Sequence, residues 1–262
     1  MENKFRIIIP AYNCENWIKR CFWSVVNQNF INNEYGGNYK AVFIDDCSTD
    51  NTFKIVEETI RNSGEHKLNF RFFQRNQNVG ALENIVYGIN SICFNDDDII
   101  VLLDGDDALF ANGVISYLDE VYQDPNILLT HGQYQSESNG RIGNNKPLNV
   151  STKEYRGVKS EPLYWCTSHL RTFKYKLWKR IQDVDLRGPD GKYFAMAWDM
   201  AIMYPLIEMA GNNRIKFIEK IMYLYNDTNP LNDFKKNLKL QVETANYIKS
   251  KLRYRTLRDD EI

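Results

Sequence analysis

Residues 98–107 read DIIVLLDGDD, an apolar run followed directly by a cluster of carboxylates. The run has no polar alternation, which predicts a central strand covered on both faces. In an open parallel α/β sheet, ligands bind outside the carboxyl ends of the strands. This segment therefore predicts an α/β protein whose site includes Asp104, Asp106 and Asp107.

The chain before this segment repeats the order strand, polar turn, amphipathic helix. The strands FRIIIP, KAVFI and NFRFFQ, at residues 5–10, 40–44 and 69–74, each precede apolar residues at helical spacing. Such alternation predicts parallel strands joined by right-handed crossovers. Asn13 is expected to cap the first helix. The polar residues that follow the first two strands should meet DGDD in one crevice.

The chain after residue 110 is less regular. We expect helices at 112–123, 174–181 and 195–210 and strands at 127–135 and 215–226. Residues 136–160 are expected to form a polar loop of the kind that often serves as a mobile lid, and residues 232–258 should form a helical tail.

Bulk composition excludes several classes. The formal net charge of −1 provides no basic field for nucleic acid, so no nucleic-acid partner is expected. No apolar run approaches the roughly 18 residues that span a bilayer, and the start MENKF lacks a signal-peptide pattern. We therefore expect a cytoplasmic protein without a transmembrane segment. The five cysteines form no C-x-x-C pair and are expected to be reduced.

The spacing of the DGDD carboxylates suits a divalent cation. Mg²⁺ or Mn²⁺ is commonly held by one or two carboxylates, with water and substrate phosphates completing its shell. A solvated acidic turn explains the isolated motif equally well. The pair Asp45 and Asp46 is also typical of a receiver domain or of a haloacid-dehalogenase-type phosphatase. The spacing of acidic residues that those two classes require is absent from DDCST and from DGDD.

The motifs taken together resemble the inverting family 2 glycosyltransferases of the GT-A fold. They are FRIIIPAYN (5–13), FIDDCSTDNT (43–52), RNQNVGALEN (75–84), VLLDGDD (101–107), AMAWDMAIMYPLIEMAG (195–211) and IEKIMYLYN (218–226). The resemblance covers roughly residues 5–226. It implies a mostly parallel central sheet flanked by helices, in a single compact domain.

The resemblance also implies a division of the chain. Residues 1–230 would form the GT-A domain, with a nucleotide-sugar-binding half at about 1–110 and an acceptor-binding half at about 111–230. Residues 231–262 would form the C-terminal helical tail.

The resemblance assigns roles at the strand ends. Asp46 would hydrogen-bond the base, for which a carboxylate suits a uracil N3–H, and Asp104 would meet the ribose or donor sugar. Asp106 would ligate Mn²⁺ or Mg²⁺ and Asp107 would assist it. The implied nucleotide-sugar-binding residues are Pro10, Ala11, Tyr12, Asp45, Asp46, Asn78, Gly80, Asp104, Gly105, Asp106 and His169. A turn-forming pair before a helix cap is the lesser alternative for Asp45 and Asp46, whereas the Asn78–Gly80 segment is explained equally well as a turn that precedes a helix.

A general base is implied near the start of the later acidic helix. Asp199 would take the proton from the acceptor hydroxyl, although the family often has an acidic pair where this chain has Trp198-Asp199. Asp199 would also be explained as a carboxylate that stabilises a helix N-terminus. His169 and Arg171 both suit phosphate, and His169 is a second candidate metal ligand, but ordinary packing would also explain this histidine.

The implied function is transfer of a sugar from a nucleotide sugar, with UDP as the expected nucleotide, to the hydroxyl of a glycan, a lipid-linked acceptor or a protein. One alternative is a sugar-phosphate nucleotidyltransferase, but the Gly-rich basic loop that such enzymes carry after strand one is absent from PAYNCEN (10–16). A non-catalytic nucleotide-sugar-binding module is the other alternative. No motif in the sequence identifies the donor sugar, the acceptor or the linkage.

Overall fold

A single eight-stranded sheet runs through the computed structural model, which describes residues 3–28, 38–150, 154–156, 165, 167–231 and 237–262. Its strands are β1 (Phe5–Ala11), β2 (Tyr39–Asp45), β3 (Phe70–Gln74), β4 (Ile99–Leu102), β5 (Ala108–Leu109), β6 (Leu129–Ser136), β7 (Arg171–Lys174) and β8 (Ile215–Tyr225). The helices of the described residues are α1 (Ile18–Val26), α2 (Thr52–Arg61), α3 (Ala81–Ile92), α4 (Val114–Tyr122), α5 (Tyr175–Trp178), α6 (Trp198–Ala210) and α7 (Leu238–Ser250).

The strand order is β3-β2-β1-β4-β7-β6-β8-β5. The first four strands are parallel, as is the β6–β8 pair, whereas β7 runs antiparallel to both its neighbours and β5 runs antiparallel to β8. The mostly parallel α/β sheet that the sequence predicts is therefore confirmed.

Burial on both faces explains why the central strands lack polar alternation. Along β1, Ile8 packs into a core beneath α3 and α6, whereas Ile7 and Ile9 pack into a second core beneath α1, α2 and α4. All four residues of β4 are buried. The sheet is therefore held rigidly from both sides, with its strand ends free to carry polar groups.

Strand β7 lies where the sequence pattern predicts no strand, directly before the helix expected from Lys174. The strand is only four residues long, too short for its period to be visible, and it carries two charged residues, Arg171 and Lys174. Both are buried because each has an anionic partner: Asp199 lies 3.0 Å from Arg171, and Asp97 lies 3.3 Å from Lys174. Only tertiary pairing makes such a strand tenable in the centre of a sheet.

The expected N-cap at Asn13 is wrong. Helix α1 begins at Ile18 with Trp17 at its N-cap position. The side-chain oxygen of Asn13 instead accepts a hydrogen bond from the Thr49 backbone N–H at 2.8 Å, and Asn13 has a φ of 47°. Its side chain thus ties the turn after β1 to the turn after β2.

The C-terminal segment packs along α6. Helix α7 covers part of the tail predicted at 232–258, of which residues 232–236 lie outside the described part of the chain. Beyond it, the Leu257 N–H bonds to the Met209 carbonyl at 2.9 Å.

Other predictions fall partly outside the described residues. The lid predicted at 136–160 includes residues 151–153 and 157–160, which are not described, and Cys166 is not described either. The cysteines Cys14, Cys21, Cys47 and Cys93 are free thiols. Among the described helices, none has both the length and the apolar character needed to cross a bilayer.

A buried carboxylate anchors this tail. Glu208 is 1% exposed and accepts hydrogen bonds from the Tyr155 hydroxyl at 2.7 Å, the Arg156 Nε at 2.7 Å and the Tyr254 backbone N–H at 2.8 Å. A second cation, Arg253, lies 3.5 Å away. The cluster joins α6 to two segments that are distant in sequence.

Glu208→Ala is expected to lower the free energy of unfolding by about 3–5 kcal/mol, because it leaves buried cationic groups without their anion. Urea denaturation followed by tryptophan fluorescence measures the change. Glu219→Ala is the matched control: Glu219 is exposed on β8, and a surface change of this kind is expected to stay within about 0.5 kcal/mol. Equal effects for the two variants would contradict the anchoring role.

Candidate active site

A cleft of about 530 Å³ opens at the carboxyl ends of β1, β2 and β4 and extends to the start of α6. It brings together the following residues predicted from sequence: Pro10, Ala11, Tyr12, Asp46, Asn78, Gly80, Asp104, Gly105, Asp106, Asp107, His169, Arg171, Trp198 and Asp199. The strand order places these segments side by side although they are up to about 190 residues apart in the chain. The crevice expected from the polar strand ends is present.

Asp45 lies outside this cleft. It is 3% exposed, and its carboxylate accepts hydrogen bonds from the Ser48 N–H at 3.1 Å and the Gln74 side chain at 3.3 Å. These contacts close the turn after β2 and join it to β3. Side chains alternate along a strand, so of two consecutive aspartates at its end only one can face a given site. Trp165 is half-buried and is not among the residues that line the cleft.

Asp46 fastens the loop before α3 to the sheet. One of its oxygens accepts from the Val79 N–H and the other from the Gly80 N–H, both at 2.8 Å. Gly80 has a φ of 90°, which side-chain-bearing residues adopt only with strain. Each carboxylate oxygen keeps a second lone pair, so Asp46 remains able to accept from a ligand in the cleft.

Gly105 is required by a close approach of two strand ends. A Cβ atom at this position would lie 2.9 Å from the Ala11 Cβ and 3.0 Å from the Pro10 carbonyl oxygen. Its own N–H bonds to that carbonyl at 3.0 Å. The glycine therefore lets the DGDD turn sit directly against the end of β1, which fixes where its carboxylates point.

Asp104, Asp107 and His169 form the one group among the described residues whose donor atoms could together hold a metal ion. One ligand atom from each lies within 4.8 Å of the others. Burial and the charges of Asp106 and Asp104 raise the pKa of Asp107 well above its usual range. Such crowding of carboxylates beside an imidazole fits a divalent cation, which would neutralise the charge.

Asp106, the ligand expected from sequence, is engaged differently. Its carboxylate accepts from the Asn229 side-chain amide at 2.7 Å, and its backbone carbonyl accepts from Arg20 at 2.8 Å. Burial, followed by the charge of Asp104, raises the pKa of Asp106 to about 6, and the Asn229 hydrogen bond opposes this shift. The side chain lines the cleft but is not part of the three-residue group.

His169 is held by aromatic rings. Its imidazole stacks on Tyr223 with centroids 4.3 Å apart and an interplanar angle of 10°, and Tyr225 lies on it at 5.5 Å and 17°. The Nε2 atom is 3.6 Å from the Asp104 carboxylate. Burial and the positive charge of Arg171 lower the pKa of His169, with Asp104 opposing them. The neutral imidazole is thus favoured, which is the form that binds metals.

Asp199 stands in the first turn of α6 with its side chain 23% exposed. Its Oδ2 accepts from the Arg171 Nη2 at 3.0 Å, and its Oδ1 accepts from the Met200 N–H at 2.9 Å. Arg171 is 2% exposed and donates from Nε to the Thr167 carbonyl at 3.1 Å. The carboxylate is therefore oriented by a cation that is itself fixed by β7.

The cleft also has a wall that sequence reasoning missed. Asn229 and Leu231, after β8, and Gln241, on α7, line it together with Tyr225. The turn-forming run NDTNP (226–230) after a predicted strand was the available signal for the first of these. Nothing in the local pattern of α7 indicates that Gln241 faces the cleft, because its position depends on packing against α6.

A family model described as Glycosyl transferase family 2 matches residues 6–181, about two thirds of the chain. The chain belongs to this family. Its family places the chain among the glycosyltransferases.

Curated relatives match over shorter stretches. The poly(ribitol-phosphate) beta-N-acetylglucosaminyltransferase TarS of Staphylococcus aureus is 37% identical over 78 residues, which is 30% of this chain and 12% of TarS. The chondroitin synthase of Escherichia coli is 32% identical over 118 residues, 45% of this chain and 15% of that protein. The match thus takes in only a small part of the length of these relatives.

Solved structures show the same fold. Residues 1–349 of S. aureus TarS, in complex with UDP, superpose with a TM-score of 0.62 at 22% identity, over 92% of this chain and 65% of that one. The mannosyltransferase PcManGT of Pyrobaculum calidifontis, in complex with GDP-Man and Mn²⁺, gives 0.63 at 14% identity, over 97% and 66%. The GT-A fold expected from the motifs is confirmed.

Proposed function

We propose that this chain transfers a sugar from a nucleotide sugar, with UDP as the expected nucleotide, to an acceptor hydroxyl with inversion at the anomeric carbon. The observation that carries the proposal is a single cleft that joins the acidic end of β4 to Asp199 at the start of α6. The acidic end of β4 can receive a diphosphate with its cation, and Asp199 can receive a proton. An enzyme that displaces a nucleoside diphosphate with a hydroxyl needs both.

The donor end of the cleft suits a nucleotide. Pro10, Ala11 and Tyr12 line it beside Asp46, and Tyr12 is 36% exposed, so its ring is accessible to a planar base. Asp46 is fixed by two backbone N–H groups and offers an acceptor to a base N–H. Asn78 and Gly80 belong to the loop that Asp46 holds in place.

Asp104, Asp107 and His169 would hold Mn²⁺ or Mg²⁺, and Asp106 lines the same cleft. When bound, the cation supplies Lewis-acid stabilisation of the charge that develops on the leaving diphosphate. The contribution of the protein is to bring two carboxylates and a neutral imidazole together before substrate arrives.

Asp199 would act as the general base. As the acceptor oxygen bonds to the anomeric carbon, the bond from that carbon to the diphosphate breaks on the opposite face, and the hydroxyl proton passes to the Asp199 carboxylate. Arg171 keeps this carboxylate in one orientation. Trp198, adjacent in the chain and lining the cleft, presents an aromatic surface on which a sugar can stack.

A thermal-shift panel of nucleotides and nucleotide sugars, with and without Mn²⁺, tests the proposed donor. At a hundredfold excess over Kd, a ligand stabilises the native state by about 2.7 kcal/mol, which is about 5–10 °C for a chain of this size. We expect UDP and one UDP-sugar to give the largest shifts, and only with Mn²⁺. A panel without any shift would contradict the proposal.

The same reagents separate the alternatives. Release of pyrophosphate from UTP and a sugar phosphate would favour a nucleotidyltransferase. Binding without any turnover of donor, in the presence of Mn²⁺, would favour a non-catalytic module. The acceptor class (glycan, lipid-linked or protein hydroxyl) and action in the cytoplasm are further parts of the proposal.

A further inference from the structure

Tyr223 is fully buried and contacts two of the three candidate metal ligands, Asp104 and His169. It comes from β8, whereas Asp104 and Asp107 follow β4, and His169 precedes β7. The ligands thus come from two separate segments, and neither segment alone fixes the distance between them. A residue from a third segment that contacts both of these segments can set that distance.

The phenol oxygen of Tyr223 holds the start of the turn that carries both aspartates. It accepts a hydrogen bond from the Asp104 backbone N–H at 3.1 Å. The turn itself is closed by the Asp107 N–H, which donates to the Asp104 carbonyl at 3.0 Å. By fixing the backbone of Asp104, the hydroxyl therefore fixes the turn from which the Asp104 and Asp107 side chains extend.

The ring of Tyr223 controls the third ligand. It stacks on the His169 imidazole at 4.3 Å and 10°, the closest and most nearly parallel of the ring contacts that His169 makes among the described residues. Stacking fixes the plane of the imidazole, and with it the direction of the nitrogen lone pair. The Nε2 atom points at Asp104, 3.6 Å away.

We propose that Tyr223 is a positioning residue that pre-assembles Asp104, Asp107 and His169 for a divalent cation. The inference rests on the proposed function, because it requires that this group binds the cation. Groups that orient metal ligands without touching the metal commonly contribute 10- to 100-fold to affinity. Tyr223 does this in two ways: its hydroxyl holds the backbone of the turn that carries the aspartates, and its ring stacks on the histidine.

Tyr223→Phe tests the hydroxyl alone, because the ring and its stacking on His169 remain. We expect Mn²⁺ affinity, measured by calorimetry on the full chain without nucleotide, to fall about 10- to 100-fold. The EPR spectrum of the Mn²⁺ that still binds should broaden as its ligand geometry becomes less uniform. An affinity within about twofold of the unmodified chain would overturn the inference.

Tyr122→Phe is the matched control. Tyr122 is also a buried tyrosine, and its hydroxyl bonds to the Thr172 hydroxyl at 2.8 Å, within the core. Both variants lose a buried hydroxyl and should lose similar thermal stability, but only Tyr223→Phe should weaken Mn²⁺ binding. Equal weakening in both would overturn the inference in favour of general destabilisation.

Failure of the inference and failure of the metal site are distinguishable with Asp104→Asn. One outcome overturns only the role of Tyr223: Mn²⁺ binds the unmodified chain, Asp104→Asn removes that binding, and Tyr223→Phe leaves it intact. If the unmodified chain binds no Mn²⁺, the proposed metal site fails and the role of Tyr223 fails with it.

Discussion

Asp199→Asn is expected to lower kcat for sugar transfer about 10²- to 10⁴-fold, the range for loss of a general base. The amide keeps the shape of the carboxylate and one oxygen that can still accept from Arg171, and only the contact with the adjacent Met200 N–H is lost, so α6 should keep its position. Affinity for UDP, measured by calorimetry, should therefore change by no more than about twofold, since Asp199 lies at the other end of the cleft from Asp46 in the proposed arrangement. Full turnover in this variant would contradict the base assignment.

A double-mutant cycle with Arg171 shows whether the orienting contact matters for the chemistry. Arg171→Met should lower kcat in the unmodified chain, because Asp199 loses the cation that fixes it. The same change in the Asp199→Asn chain should have little further effect on kcat, because no base remains to be oriented. Equal losses in both backgrounds would indicate that Arg171 acts on folding or on substrate contact instead.

Removal of divalent cations is expected to have the second large effect. Treatment with EDTA should lower sugar transfer about 10²- to 10⁴-fold, because the cation contributes several kcal/mol of charge stabilisation to the transition state. Addition of Mn²⁺ should restore activity, as measured by release of the nucleoside diphosphate from the donor. Unchanged turnover in EDTA would contradict a role for metal.

Two isosteric variants test whether the metal is held mainly by Asp106, as the sequence predicts, or by the group that contains Asp104. Asp104→Asn should weaken Mn²⁺ binding strongly, because Asp104 shares the three-residue group with Asp107 and His169. Asp106→Asn should weaken it less, because the Asp106 carboxylate already bonds to Asn229 at 2.7 Å. The reverse order would restore Asp106 as the principal ligand.

Strand-end motifs were predictable because they are local. Proline, glycine and carboxylates mark where a buried strand stops, and parallel strands bring their carboxyl ends to one edge of the sheet. Asp46, Asp104 and Asp106 could therefore be placed in one crevice from sequence. Strand β7 was not predictable, since Arg171 and Lys174 are polar residues in a short segment whose burial depends on distant aspartates.

Residue patterns alone predict the α/β class, the order of strands and helices through β4, and the crevice with its acidic cluster. These follow from hydrophobic periodicity and from turn residues, which act over a few positions. The family follows from the resemblance of the strand-end motifs to those of known members. The packing of distant segments places Asp45 outside the cleft, joins Asp107 to Asp104 and His169, sets Tyr223 against this group, and adds Asn229 and Gln241 to the cleft wall. Those outcomes depend on contacts between segments about 30 to 140 residues apart, where packing rather than local pattern decides which side chains meet.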